Sequence, residues 1–270
     1  MFRRRNGRVY ECVIIDLNTQ RDFCDSNGAY PVCNIDRLLP ALRSVVTWAR
    51  QNDAPVISSL ESHRQWEVTR DGLPVLCCID GTPGQRKVDF TLFPDRVCVE
   101  VDNTLAVPFD LFGECQQVIF RKRTDDLLAN PKAERFLTHL SVDEFVIVGN
   151  GLESAVKAVT LGLLARNKRV TVVLDACGYW DIACADFAVR QIAAKGAGIV
   201  TVDALLTRVL PRRCPCAQHD GSGNGGNGSN GSNGNGYHRG VHAPWCSEAP
   251  VDDPRNLMDV LPDPKMRKRA

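Results

Sequence analysis

The sequence predicts an α/β fold built on a parallel sheet flanked by helices. Three observations carry that expectation. Short apolar, β-branched runs recur along the chain, segments with helical spacing of apolar residues separate them, and polar residues stand at the ends of the runs. Strands that alternate with helices pair in parallel through right-handed crossovers. In an open sheet of that kind, ligands bind outside the C-terminal ends of the strands.

Each element has its own signal. Tyr10 to Ile15 is β-rich and ends at Asp16. Asn34 is expected to cap a helix running to about Asn52, whose apolar stripe is Leu38, Leu39, Leu42, Val45, Val46 and Ala49. Pro40 falls in its first turns, where proline is best tolerated. Ala54 to Ser59 reads as the second strand. Residues 61–115 are rich in turn formers and read as one long irregular stretch, which in a compact domain is usually functional. Gln117 to Arg121 is the third strand. Asn130-Pro131 opens a helix to about Leu140, with Asn as cap and Pro at the first helical position. Strands over 145–148, 169–174 and 198–202 then alternate with helices over 153–166 and 182–195, and a short helix follows Asp203. Six strands result.

The 270 residues fit one large domain, or one domain with extensions, and 44% apolar content is enough for a substantial core. A net charge of +1 gives no electrostatic footprint for nucleic acid or a membrane surface. No apolar run approaches the ~20 residues that span a bilayer. The N-terminal arginines are followed by no signal-peptide core, and cysteines such as Cys12 and Cys98 lie in strand-like runs as small hydrophobes. Both point to the reducing cytoplasm. The expected organisation is a basic tail over 1–8, a domain over 9–210 and an extension over 211–270. Within the extension, 221–236 is almost pure Gly, Asn and Ser, the composition of a flexible linker. Cys214, Cys216, His219, His238, His242 and Cys246 flank it with no zinc-module spacing and read as tail residues.

Asp16 is the first chemical candidate. A carboxylate at the end of a buried strand has its proton affinity set by burial and by neighbouring charge, and can transfer protons. The plainer alternative is an Asp that bonds loop amides.

Four segments in order then carry a resemblance. They are DLNTQRDF at 16–23 with Gly28 and Val32, CCIDGTPG at 77–84, FRKRT at 120–124, and GNGLESAV at 149–156 followed by Gly162, Arg169-Val170 and Asp175-Ala176-Cys177. Over roughly residues 9–206 they resemble the isochorismatase-like, or cysteine hydrolase, superfamily in its nicotinamidase-like branch. The resemblance implies a six-stranded parallel three-layer sandwich, a small-molecule substrate and a homo-oligomer. It also implies an Asp–Lys–Cys triad that hydrolyses small amides. Asp16 and Lys122 match the first two positions. Without the family, Lys122 would read as a surface lysine beside Asp125 or Asp126. The nucleophile position holds Ala155. Ser154 stands one residue early, and one residue on a helix is a rotation of ~100°, so it substitutes poorly. Cys177 matches a family cysteine and reads as a buried structural thiol.

The resemblance further places an oxyanion hole at the backbone N–H groups of Gly151 and Ala155, and a substrate pocket at Gln20 and Phe23. Asn103, Thr104 and Pro108 would shape its mouth. Glu61, His63 and Cys77 match a metal-binding pattern and are competent zinc ligands; the alternative is a lost metal, with Cys77 a loop residue. Three functions stay open. One is an amide hydrolase impaired by the missing sulfur. Another is an isochorismatase-type vinyl-ether hydrolase with Asp16 as proton donor. The third is a non-catalytic ligand-binding protein or oligomer partner.

Overall fold

The computed structural model describes residues 10–68, 72–101, 107 and 110–208. The expectations for 1–8, Asn103, Thr104, Pro108 and 211–270 lie outside these residues.

Seven strands form one sheet: β1 (Tyr10–Leu17), β2 (Val56–Glu61), β3 (Arg96–Val99), β4 (Gln117–Lys122), β5 (Val142–Asn150), β6 (Val170–Gly178) and β7 (Gly198–Val200). Their order is β3-β4-β2-β1-β5-β6-β7, and every pairing is parallel. The helices are α1 (Arg21–Cys24), α2 (Ile35–Gln51), α3 (Pro131–His139), α4 (Lys157–Leu164), α5 (Ile182–Ala194) and α6 (Val202–Leu206). The parallel α/β class is as expected, with one strand more than the six read from the sequence. The addition, β3, lies inside the stretch read as irregular. Its four residues pair only with β4 at the edge of the sheet, and their burial merely alternates between exposed and half-buried. So short a run carries little periodic signal.

Register and pleat decide which way each side chain points. Successive side chains along a strand alternate between faces, and residues registered across a parallel pair share a face. Ile14, Val146 and Val148 therefore face one way, into the core that Leu38, Leu42 and Val45 of α2 and Leu205 of α6 complete. Ile15 is registered with Ile57 and Ile147, and these face the other way. Where β5 ends, Gly149 has φ of 114°, and a side chain there would collide with the Leu17 carbonyl oxygen. Only glycine meets both conditions.

Two caps behave differently. Asn130 accepts from Lys132 N at 2.9 Å and Ala133 N at 3.4 Å, as expected, and its Nδ2 donates to Arg121 O at 2.7 Å. Asn34 stands at the start of α2 but makes no capping bond. It instead donates to Cys177 O at 3.0 Å and accepts from Tyr179 N at 3.2 Å, joining the helix start to the end of β6. The helix expected over 153–166 begins as a π turn, Leu152–Val156, before α4. Among the described residues no helix is long and apolar enough to cross a membrane. Asn130→Ala should cost about 1 kcal/mol of stability by removing the α3 cap. A denaturant midpoint equal to that of the wild type would show that the cap contributes nothing.

Candidate functional site

The sheet separates the two side chains expected to share a triad. Asp16 is registered with Ser58, and Lys122 with Glu61. Ser58 and Glu61 are three residues apart on one strand, so they face opposite sides. Asp16 therefore points toward the α2 side and Lys122 away from it. Each has found another partner.

Asp16 is buried, and its Oδ2 accepts from Lys87 Nζ and Ser58 Oγ, both at 2.9 Å. Lys87 Nζ also donates to Thr19 Oγ1 at 2.5 Å. Asp16 Oδ1 has no hydrogen-bond partner among the described residues. Sequence reasoning missed Lys87, which lies in the turn-rich stretch with no strand or helix to mark its direction.

On the opposite side, Lys122 Nζ donates to Glu61 Oε1 at 2.8 Å, Thr124 O at 2.7 Å and Asp125 O at 2.9 Å. Its three protons match three acceptors. Asn18 is the β1-tip residue that reaches this pair. Its φ of 52° is left-handed and ends the pleated alternation. Asn18 Nδ2 donates to Glu61 Oε1 at 2.6 Å, and its Oδ1 accepts from Ser59 Oγ at 2.7 Å. Asn150 Nδ2, at the β5 tip, donates to Asn18 O at 2.7 Å and lies 3.1 Å from Cys24 Sγ. One polar chain thus crosses four neighbouring strand tips, from Lys122 through Glu61 and Asn18 to Asn150. The available signal for Asn18 was its place just past the last strand residue, where Asn tolerates positive φ.

Burial acts to raise the Glu61 pKa, but the Lys122 ammonium and the His63 imidazole outweigh it and hold the carboxyl at about 2. The hydrogen bond to Glu61 raises the His63 pKa, against burial and with help from Glu67. His63 Nε2 lies 3.5 Å from Glu61 Oε2, and His63 Nδ1 lies 2.9 Å from Glu67 Oε2. Arg123 closes the cluster with a 3.0 Å contact to Glu67.

This arrangement does not fit the expected zinc site. A ligand oxygen needs a free lone pair facing the ion, whereas Glu61 Oε1 faces an ammonium and both His63 nitrogens face carboxylates. Among the described residues no group of three or more His, Cys, Asp or Glu is placed to hold a metal ion.

Most of the remaining expected positions make contacts of their own within the fold. Gly151 N donates to Gly178 O at 3.0 Å and extends the β5–β6 pairing, so it is not turned toward an oxyanion. Gly151 has φ of 85°, and a Cβ there would lie 2.7 Å from Ser154 Oγ and 3.3 Å from Ala155 N. Ala155 is buried in the π turn. Gln20 is buried, donating to Glu61 O at 2.9 Å and Gln85 O at 2.8 Å and accepting from Glu61 N at 2.8 Å. Phe23 packs edge-on against Trp180 with ring centroids 5.4 Å apart. Cys177 is a buried thiol bonded to Val173 O at 3.3 Å. A groove of about 510 Å³ opens elsewhere, between α1, α2 and residues 88–90, with Arg21, Cys24 and Arg43 in its lining.

Two measurements probe these pairs. Lys87→Met should cost about 3–5 kcal/mol because Asp16 is left buried and unpaired, and Asp16→Leu combined with Lys87→Met should recover much of that loss. Additive losses in the two variants would show that the residues do not act as a pair. For Glu61, a pKa lowered on folding contributes stability that is present above 4.5 and lost as pH falls toward 2. Denaturant midpoints should drop across that window in the wild type and drop less in Lys122→Met. The same acid slope in both would mean that Lys122 is not the cause.

Solved structures with this fold are numerous. The pyrazinamidase of Pyrococcus horikoshii, solved with zinc, is 20% identical with a TM-score of 0.58, over 71% of this chain and 99% of that one. A nicotinamidase/pyrazinamidase of Bacillus subtilis is 14% identical with a TM-score of 0.57, over 70% of this chain and 99% of that one. An isochorismatase-like hydrolase of Alkaliphilus metalliredigens is 16% identical with a TM-score of 0.56, over 73% and 95%. At these identities the likeness is one of fold. No curated protein matches by sequence. The family model described as the isochorismatase domain matches residues 12–204, and the chain therefore belongs to the isochorismatase family.

Proposed function

We propose that this chain is a nicotinamidase-like member of the isochorismatase family that has lost amide-hydrolysing competence and acts by binding a small amide or carboxylate. One observation carries the reading: Lys122 is closed off by Glu61 and two carbonyls, while Asp16 faces the other side of the sheet. Nucleophilic catalysis needs a nucleophile within reach of a base. The nucleophile position is Ala155, which has no atom to attack a carbonyl. The β1-tip residue touching Glu61 is Asn18, whose amide takes no proton. Glu61 itself, with its pKa at about 2, is a weak base at neutral pH. The loss thus extends beyond the sulfur to the proton acceptor. The vinyl-ether reading needs Asp16 to reach a substrate, whereas its Oδ2 is engaged by Lys87 and Ser58 inside the fold. The binding half of the proposal draws on family membership and on the pyrazinamidases and nicotinamidases that share the fold.

Ammonia release from nicotinamide and pyrazinamide tests this reading. The wild type and Ala155→Cys should both stay at the buffer blank, because the added thiol finds no base. Nicotinamide or nicotinate should still raise the melting temperature of the wild type. Turnover by the wild type that Lys122→Met abolishes, or turnover gained by Ala155→Cys alone, would overturn the impairment. A melting temperature indifferent to every small amide and carboxylate tried would overturn the binding role.

A further inference from the structure

The groove between α1, α2 and residues 88–90 takes no part in the strand-tip network, and its walls are cross-tied. Ile35, Leu39 and Arg43 of α2 are spaced by four, so they share one face of the helix and form one wall. Across from them, Arg21 of α1 meets both carboxylate oxygens of Asp89 at 3.1 Å. Arg50, further along α2, donates to Phe90 O at 2.9 Å and to Leu92 O at 3.0 Å. Val88 N donates to Thr19 O at 2.9 Å. The segment 88–92 is thus fastened to both helices and to the residues after β1, which gives the groove its shape before any ligand arrives. Its volume of about 510 Å³ falls in the ~300–1,000 Å³ range of small-molecule sites.

The lining combines an apolar floor with charges that are not equivalent. Ile35, Leu39 and Val88 are partly buried and pack against the core. Arg21 and Asp89 satisfy each other. Asp25, on the α1 side, accepts from Asn27 N at 3.0 Å. Arg43 differs from these. Its Cζ lies over the Phe90 ring, 4.1 Å from the centre. A ring attracts a guanidinium but accepts no N–H bond in the way an oxygen does. Among the described residues no oxygen accepts from Arg43, whereas Arg50 spends its N–H groups on two carbonyls. Arg43 therefore brings to the groove a steadied fork of donors, the shape that grips a carboxylate through two bonds.

We infer that this groove binds a small carboxylate with an apolar body, the carboxylate held by Arg43 and the body lying on Ile35, Leu39 and Val88. The charges set the orientation. Asp25 disfavours an anion on the α1 side and Asp89 is already taken by Arg21, so a carboxylate is favoured at the α2 wall. Burial of the body on the floor adds affinity that a bare anion lacks. The site goes beyond the binding role proposed from the family, because it uses none of Asn18, Lys122 or Ala155 and stands whether or not the strand tips bind anything.

Benzoate titrated into the full, isotope-labelled chain and followed by amide NMR shifts tests the site. Shifts should gather at Asp25, Leu39, Arg43 and Phe90 and spare Asn18 and Asn150. Benzamide keeps the ring without the charge, and acetate keeps the charge without the ring; each should bind about tenfold more weakly than benzoate. Arg43→Met should weaken benzoate by about the same factor and leave benzamide as it was. Arg43 is exposed, so this variant should keep the fold. Benzoate shifts confined to Asn18, Asn150 and their strand-tip neighbours would overturn the groove site and leave the family-based binding role standing. No shift into the millimolar range, equal affinity for benzamide or acetate, or a benzoate affinity unchanged in Arg43→Met would each overturn it too. The wild-type titrations decide the matter even without the variant.

Discussion

The alternation of side chains across the central strands governs the site. Because β1, β2 and β4 pair in register, each strand-tip side chain is assigned to one side of the sheet before any chemistry is considered. Glu61 and Lys122 fall on the same side and form a buried ion pair. Asp16 falls on the other and forms a second one with Lys87. Both lysines are thus engaged by carboxylates within the fold. The left-handed residue Asn18 is the exception that crosses from one arrangement to the other, and it does so as a neutral amide.

Burial makes these pairs consequential. Two charges taken out of water are costly unless they meet each other and further polar groups. Lys122 satisfies that condition with a carboxylate and two carbonyls, and Lys87 with a carboxylate and a hydroxyl. The Lys87 pair also holds the segment after Gly84 against the sheet, where Lys87 bridges to Gln20. Gln20 in turn fastens the same segment through Gln85 O and fastens β2 through Glu61. Residues that the family resemblance associates with substrate thus serve here as ties between loop and sheet.

Much of the fold was legible along the chain. The helices at 35–51, 131–139 and 182–194 and the central strands carried strong periodic signals, and the Asn130-Pro131 start behaved as local chemistry dictates. Errors arose where a local signal competed with a distant partner. Asn34 had the position of a cap, yet its side chain reached β6. The edge strand β3 was too short to announce itself within a turn-rich stretch. Gly151, expected to offer its N–H to a ligand, continued the sheet instead.

The candidate site divides along the same line. Four ordered motifs identified the family, and the alanine at 155 was visible as a letter in the chain. Strand order, register and the turn at Asn18 were not visible, because they depend on contacts between residues 42 to 132 positions apart. Sequence alone therefore determined the class of fold, its family and the absence of sulfur at 155. Only the tertiary structure decided that Asp16 belongs to Lys87 and Lys122 to Glu61. A strand's pleat assigns a side chain to a face, and only the packed sheet determines which distant charge waits there.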